Sequence, residues 1–143
     1  TKILHNDCSD EDTQFIISFW NGVADNIPEW KELQKKQLTK KDLREHYITT
    51  LAITMYAFGR LGRYFYDNHS VDMNDYLCKL QDIDWLRSNQ ENWLGRAIKS
   101  DGRINNNEEA AILTCAKIKQ LIGIPLSKEE KTKEQQLTEM NHK

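Results

Sequence analysis

The apolar residues of this chain recur at intervals of three and four, and no segment alternates apolar with polar over the length of a strand. That spacing gathers side chains on one face of a helix, which must then be buried against another helix. Phe15, Ile16, Phe19, Trp20 and Val23 mark the first such face. Leu43, Tyr47, Leu51, Met55, Phe58 and Phe65 mark a longer one. The pattern predicts an all-α fold, a single compact domain of six or seven helices with one long central helix. At 143 residues the chain is large enough to bury its own core.

Local signals place the helix ends. Ser9 with Asp12 makes a capping-box-like start. Asn26-Ile27 breaks the first helix, and Pro28 suits the first turn of a short one carrying Trp30 and Leu33. Thr39, with Asp42 three positions on, predicts the start of the long helix, running to about Asn68. Gly59 and Gly62 inside it would each cost about 1 kcal/mol relative to alanine, which predicts close approach of another helix at that thin spot. Asp72 is expected to cap a short helix, and Ser88 with Glu91 to form another capping box. Ser100-Asp101-Gly102 is a strong turn signal. Asn107 predicts the cap of a helix from Glu108 to Ile122, closed by Gly123 with Pro125 two residues beyond. Ser127 and Glu130 open a last, mostly polar helix with no apolar stripe, expected to fray or to pack on a neighbour outside the chain. The domain organisation expected is a flexible start over residues 1–12, a helical domain over 13–126, and a polar terminal helix or tail over 127–143. The chain opens at Thr1 and reads as the C-terminal part of a longer protein.

Composition excludes several classes. The net charge of −2 rules out a strongly basic, tail-driven binder but leaves room for a basic patch. Residues 1–30 hold six acids against one lysine, and residues 31–63 hold eight bases against three acids. No apolar run approaches the roughly 20 residues needed to span a bilayer, so no membrane partner is expected. Cys8, Cys78 and Cys115 are far apart and odd in number, which argues against a disulfide framework and fits a reducing, cytoplasmic setting.

Catalytic and metal motifs fail on inspection. Asp101 to Glu108 resembles the second half of a calcium loop, but the earlier ligand positions fall on Ala97 and Lys99, and a lysine opposes the ion. His5 and Cys8 have metal-compatible spacing without a second ligand pair. Asp82 and Asp84 suit caps better than a cation site. There is no nucleophile elbow and no phosphate-cradling Gly-x-x-x-x-Gly-Lys loop. The residues therefore predict no enzyme, no catalytic residue, no metal and no cofactor.

What remains is the corner region Ile83 to Leu126. It sets Trp85 and Trp93 beside Arg87, Arg96 and Arg103 at turns between helices. Guanidinium groups bind phosphate bidentately and also stack on rings. Arg87, Arg96, Lys99 and Arg103 are the candidate anion-binding residues, with Arg60, Arg63 and Lys119 as outer contacts. The competing reading makes the tryptophans core anchors and one of Arg87 or Arg96 an internal hydrogen-bonding hub.

Several blocks resemble the later part of the DndB family of DNA sulfur-modification proteins. They are Phe19-Trp20-Asn21-Gly22-Val23-Ala24, Asn26-Ile27-Pro28-Glu29-Trp30, Ile83-Asp84-Trp85, Arg87-Ser88-Asn89, Gly95-Arg96-Ala97, Gly102-Arg103 and Leu121-Ile122-Gly123-Ile124-Pro125-Leu126. The resemblance covers roughly residues 13–130 and rests on the order of the blocks. It implies a DGQHR-domain protein of bacterial DNA phosphorothioation that binds DNA and regulates transcription of the modification genes, and that is not the sulfur-inserting enzyme. The Asp-Gly-Gln-His-Arg motif itself is absent from this chain. DNA, contacted through its phosphates, is the expected partner. A protein-interaction or dimerisation module, pairing with itself or with other modification proteins, is the alternative.

Overall fold

The computed structural model describes residues 10–36, 39–68 and 70–141. Among them are eight α-helices and no strand, as the periodicity predicts. Six of the helices have seven residues or more; the other two are single turns. The order is α1 (Asp10–Asp25), α2 (Pro28–Gln34), α3 (Lys40–His46), α4 (Ala52–Asp67), α5 (Asn74–Leu77), α6 (Gln90–Trp93), α7 (Glu108–Ile122) and α8 (Lys128–Asn141), with a 3-10 turn over Cys78–Asp82. α1 opens at Asp10, inside the stretch expected to be a flexible start. The predicted Ser9 cap and the His5–Cys8 pair lie outside the described residues.

α1 and α4 pack antiparallel through aromatic rings. Phe15 meets Tyr66 at 5.6 Å and Trp20 meets Phe58 at 6.3 Å between centroids. Phe19 lies where a Cβ on Gly62 would stand 3.1 Å from its ring, so Gly62 admits α1, as the thin-spot expectation requires. Gly59 has no atom within 4 Å of that position, so its neighbour is open space. At the α1–α2 break, Asn26 Nδ2 donates to Gly22 O (2.8 Å), and Pro28 starts α2 after an extended Ile27.

The long helix predicted from Thr39 to Asn68 is two helices. Thr39 and Asp42 form the expected capping box, but α3 ends at His46 and α4 begins only at Ala52. Two causes act together. Ile48, Thr49 and Thr50 are β-branched in succession, which weakens helix. The backbone there also has other partners: Ile48 N–H donates to Trp85 O (3.0 Å), and Arg87 N–H donates to His46 O (2.8 Å).

The central helix is instead α7. Every residue from Ala110 to Ala116 is buried, as are Ile118, Lys119 and Ile122, the signature of a helix enclosed on all sides. Its small residues Ala110, Ala111 and Ala116 let neighbouring helices come close. Asn107 Oδ1 accepts from Ala110 N–H at 2.7 Å, and Gly123 closes the helix at φ 88°, both as predicted.

α8 corrects a second expectation. It packs on this chain, and does so largely through charge. Ser127 and Glu130 form the predicted box, each backbone N–H meeting the other's side chain at 2.9 and 3.2 Å. Four ion pairs then fasten the helix: Arg60–Glu129, Lys119–Glu130, Lys133–Glu109 and Arg96–Glu134. Leu137 is its one buried apolar side chain among the described residues.

Candidate nucleic-acid interface

Trp85 and Trp93 build the corner from below. Both are fully buried and lie nearly parallel, centroids 5.4 Å apart at 11°. Their indole N–H groups are satisfied by carbonyls: Trp85 donates to Leu80 O (3.2 Å) and Trp93 to Asp84 O (3.0 Å). The rings therefore stack on each other, not on arginine, and act as core anchors. Asp84 is a turn residue, not half of a cation site. Its oxygens accept from Leu86 N–H (3.0 Å) and Asn89 Nδ2 (3.1 Å). The cap of α6 is Asn89, one residue beyond the predicted Ser88.

Above the tryptophans the chain folds into a short irregular lattice. Tyr47 pairs with Leu86, and Ile98 bridges both Leu94 and Ile104. Lys99 N–H donates to Arg103 O (2.8 Å) and Gly102 N–H to Lys99 O (2.9 Å), closing the predicted turn at Gly102, φ 87°. A pocket of about 470 Å³ opens here, lined by Glu45, His46, Leu86, Arg87, Ser88, Gln90, Leu94, Ile98, Lys99, Ser100 and Gly102.

The seven predicted cations divide sharply. Arg87 and Lys99 share the pocket. Arg87 braces it, donating from Nη1 to Arg44 O (3.2 Å) and from Nη2 to Gly102 O (3.3 Å). Among the described residues neither Arg87 nor Lys99 has a carboxylate in ion-pair range. Arg103, outside the lining, is exposed and pairs with its neighbour Asp101 at 3.2 Å. Glu45 is the one acid in the lining, and it stands 3.9 Å from Lys41.

Arg96 turns the other way. It is 8% exposed, forks onto both carboxylate oxygens of Glu134, and donates from Nη1 to Leu113 O at 3.0 Å. It is the internal hub of the competing reading and does not share the pocket. Lys119, expected as an outer contact, is 5% exposed, bonded to Glu130 at 2.7 Å and set 4.9 Å over the Tyr64 ring. Arg60 pairs with Glu129 at 3.0 Å, and Arg63 pairs with Asp67 at 3.1 Å and lies over Tyr66.

Arg44 escaped the sequence reading. It is exposed in the last turn of α3 and holds the Arg87 brace through its carbonyl. The pairing of residues 46–48 with 85–87 brings it to the corner, and no local pattern announces that contact.

Two perturbed groups mark the α8 side. Burial pushes the Glu130 carboxyl up, but hydrogen bonds from Lys119 and from Ser127 outweigh it and hold the group below the usual glutamate range. Burial pushes the Cys115 thiol up to about 12, which makes it an inert packing residue. Among the described residues no group of three His, Cys, Asp or Glu is arranged to hold a metal ion, and no helix is long and apolar enough to cross a membrane.

A second concavity of about 850 Å³ lies between α1, α4 and the start of α7. Phe15, Ile16, Trp20, Met55, Tyr56 and the bare backbone of Gly59 contribute to its wall.

Compared with known proteins, residues 2–125 match the family model DndB, described as DNA-sulfur modification-associated. No curated protein and no solved structure matches.

Proposed function

Because the chain belongs to the DndB family of DNA-sulfur modification-associated proteins, we propose that it binds duplex DNA by its phosphates at the tryptophan corner and serves as a DNA-binding regulatory domain of the phosphorothioation system. The role is binding, not catalysis. The observation that carries this reading is the convergence on one open pocket of Arg87 and Lys99, neither with a carboxylate in ion-pair range among the described residues. Arg103 adds a third cation whose exposed pair with Asp101 is worth at most about 1 kcal/mol and yields readily to a phosphate. Leu86, Leu94 and Ile98 offer apolar contact to a sugar, and Ser88 and Gln90 offer hydrogen bonds. Contacts of this kind position a duplex without reading its sequence.

The test is fluorescence anisotropy of a mixed-sequence duplex at low salt with the Lys99→Ala/Arg103→Ala variant. Both side chains are exposed, so the fold should stand. The expected result is a loss of affinity of about tenfold or more. Unchanged affinity in a folded variant rejects the assignment.

The apolar groove beside Gly59 favours a second reading, a protein-interaction module pairing with itself or with another modification protein. Light scattering separates the two. A concentration-dependent dimer with no affinity for DNA at low salt supports the module.

A further inference from the structure

Three of the cations predicted to meet a polyanion meet α8 instead. Arg60 from α4, Arg96 from the loop after α6 and Lys119 from α7 are each held by a different carboxylate, Glu129, Glu134 and Glu130. We infer that these three cations form a second phosphate-binding surface, that α8 covers it as a strap fastened through these three glutamates, and that duplex DNA displaces the strap. This rests on the DNA-binding reading above.

Three features carry the inference. The first is the way α8 is seated. α1 buries Phe19 and Val23, whereas α8 buries only Leu137 among its described apolar side chains. Its attachment is mainly ionic, and ionic attachment can be exchanged for another anion. The second is chemical equivalence. Arg96 holds Glu134 with a two-pronged fork, and a guanidinium fork fits phosphate as well as carboxylate. Lys119 presents a point charge over Tyr64, which suits either anion. The third is position. The matched family region ends at residue 125, before α8 opens at Lys128. In these three pairs the cations belong to the matched region and the carboxylates to α8, while the exposed fourth pair, Lys133–Glu109, runs the other way.

The two surfaces are neighbours. The loop that carries Lys99 into the open corner also carries Arg96, which does not line that pocket, to Glu134 of the strap. A duplex seated first on Arg87 and Lys99 is thus placed to compete for Arg96. Lifting α8 extends the positive surface around that loop to Lys119 and Arg60.

The experiment uses the full chain. Glu129→Gln/Glu130→Gln/Glu134→Gln removes the three carboxylates that hold the cations while keeping side-chain size and the Ser127 cap. Anisotropy with a mixed-sequence duplex is measured across a salt series for this variant, the unaltered chain and Lys99→Ala/Arg103→Ala. The strap predicts that the triple variant binds about tenfold tighter than the unaltered chain, with a steeper salt dependence from the added phosphate contacts. It also predicts that amides of Lys128–Asn141 in the unaltered chain exchange with deuterium faster when duplex is bound. That measurement stands even if the triple variant fails to fold. If affinity and salt slope match the unaltered chain, or α8 exchange does not change at saturating duplex, the strap is wrong, while loss of binding in Lys99→Ala/Arg103→Ala preserves the corner reading. If no form binds duplex at low salt, both fall.

Discussion

The tryptophan corner and the α7–α8 face carry the same kinds of cation in opposite states. At the corner, Arg87 and Lys99 line an open pocket whose one acid is Glu45, and among the described residues no carboxylate stands in ion-pair range of either cation. On the other face, Arg96 and Lys119 are buried and each is matched to a glutamate. A cation's identity sets what it can bind, but the acids folded against it set whether it is free to do so. The first pair is therefore assigned to a ligand and the second to the fold, or to a ligand only after α8 leaves.

The contrast predicts opposite consequences for similar substitutions. Lys119→Ala leaves the Glu130 carboxylate, 1% exposed, without its cation, held by the Ser127 N–H. A loss of about 3 kcal/mol is expected in urea unfolding followed by tryptophan fluorescence. Arg96→Ala should cost a comparable amount, and Arg96→Met/Glu134→Leu should recover most of it. Lys99→Ala should change stability by less than about 0.5 kcal/mol, since its side chain is exposed and away from the core. A Lys99 variant as unstable as the Lys119 variant would erase the distinction.

Arg87 is intermediate and sharpens the comparison. Its two carbonyl contacts brace the corner, so Arg87→Ala should cost about 1 kcal/mol of stability as well as DNA affinity. Arg87→Lys keeps the charge but loses the planar fork. Retained affinity with reduced stability in that variant would separate charge from brace.

Acid should loosen the paired face before the corner. Glu130 has its folded-state pKa lowered, so its contribution is present above the ordinary glutamate value and is lost as pH falls through the lower folded value. Amide exchange along α8 should rise as pH falls through that acid range, after correction for intrinsic rates. Glu29 shows the reverse case. Burial raises its pKa, Glu32 and Asp84 add to the rise, and its Oε2 has no partner. Glu29→Gln should therefore be mildly stabilising near neutral pH, raising Tm by about 2 °C.

Much of the helical frame was legible because its signals are local. The Thr39–Asp42 and Ser127–Glu130 boxes and the Gly123 stop each act within a few residues, and each is where the sequence places it. The break between α3 and α4 was hidden because its hydrogen-bond partners, Trp85 and Arg87, come from a distant segment. The central helix was misplaced for a related reason. An all-round buried helix such as α7 shows no one-sided stripe, whereas α4 does.

The corner was legible as chemistry but not as geometry. Arginines beside tryptophans announce a special place, yet nothing local tells that Trp85 stacks on Trp93. Nor does a local pattern tell that Arg96 turns inward to Glu134 while Lys99 stays out. The acids that decide the matter lie on α8, whose polar sequence suggested a helix with no role in this chain.

The most direct test of the corner as a phosphate surface is the salt dependence of duplex binding in the unaltered chain and in Lys99→Ala. Log affinity should fall linearly with log salt, and removing Lys99 should lower the slope by about one. Duplex binding insensitive to salt, or a slope that the loss of Lys99 leaves unchanged, would contradict this assignment.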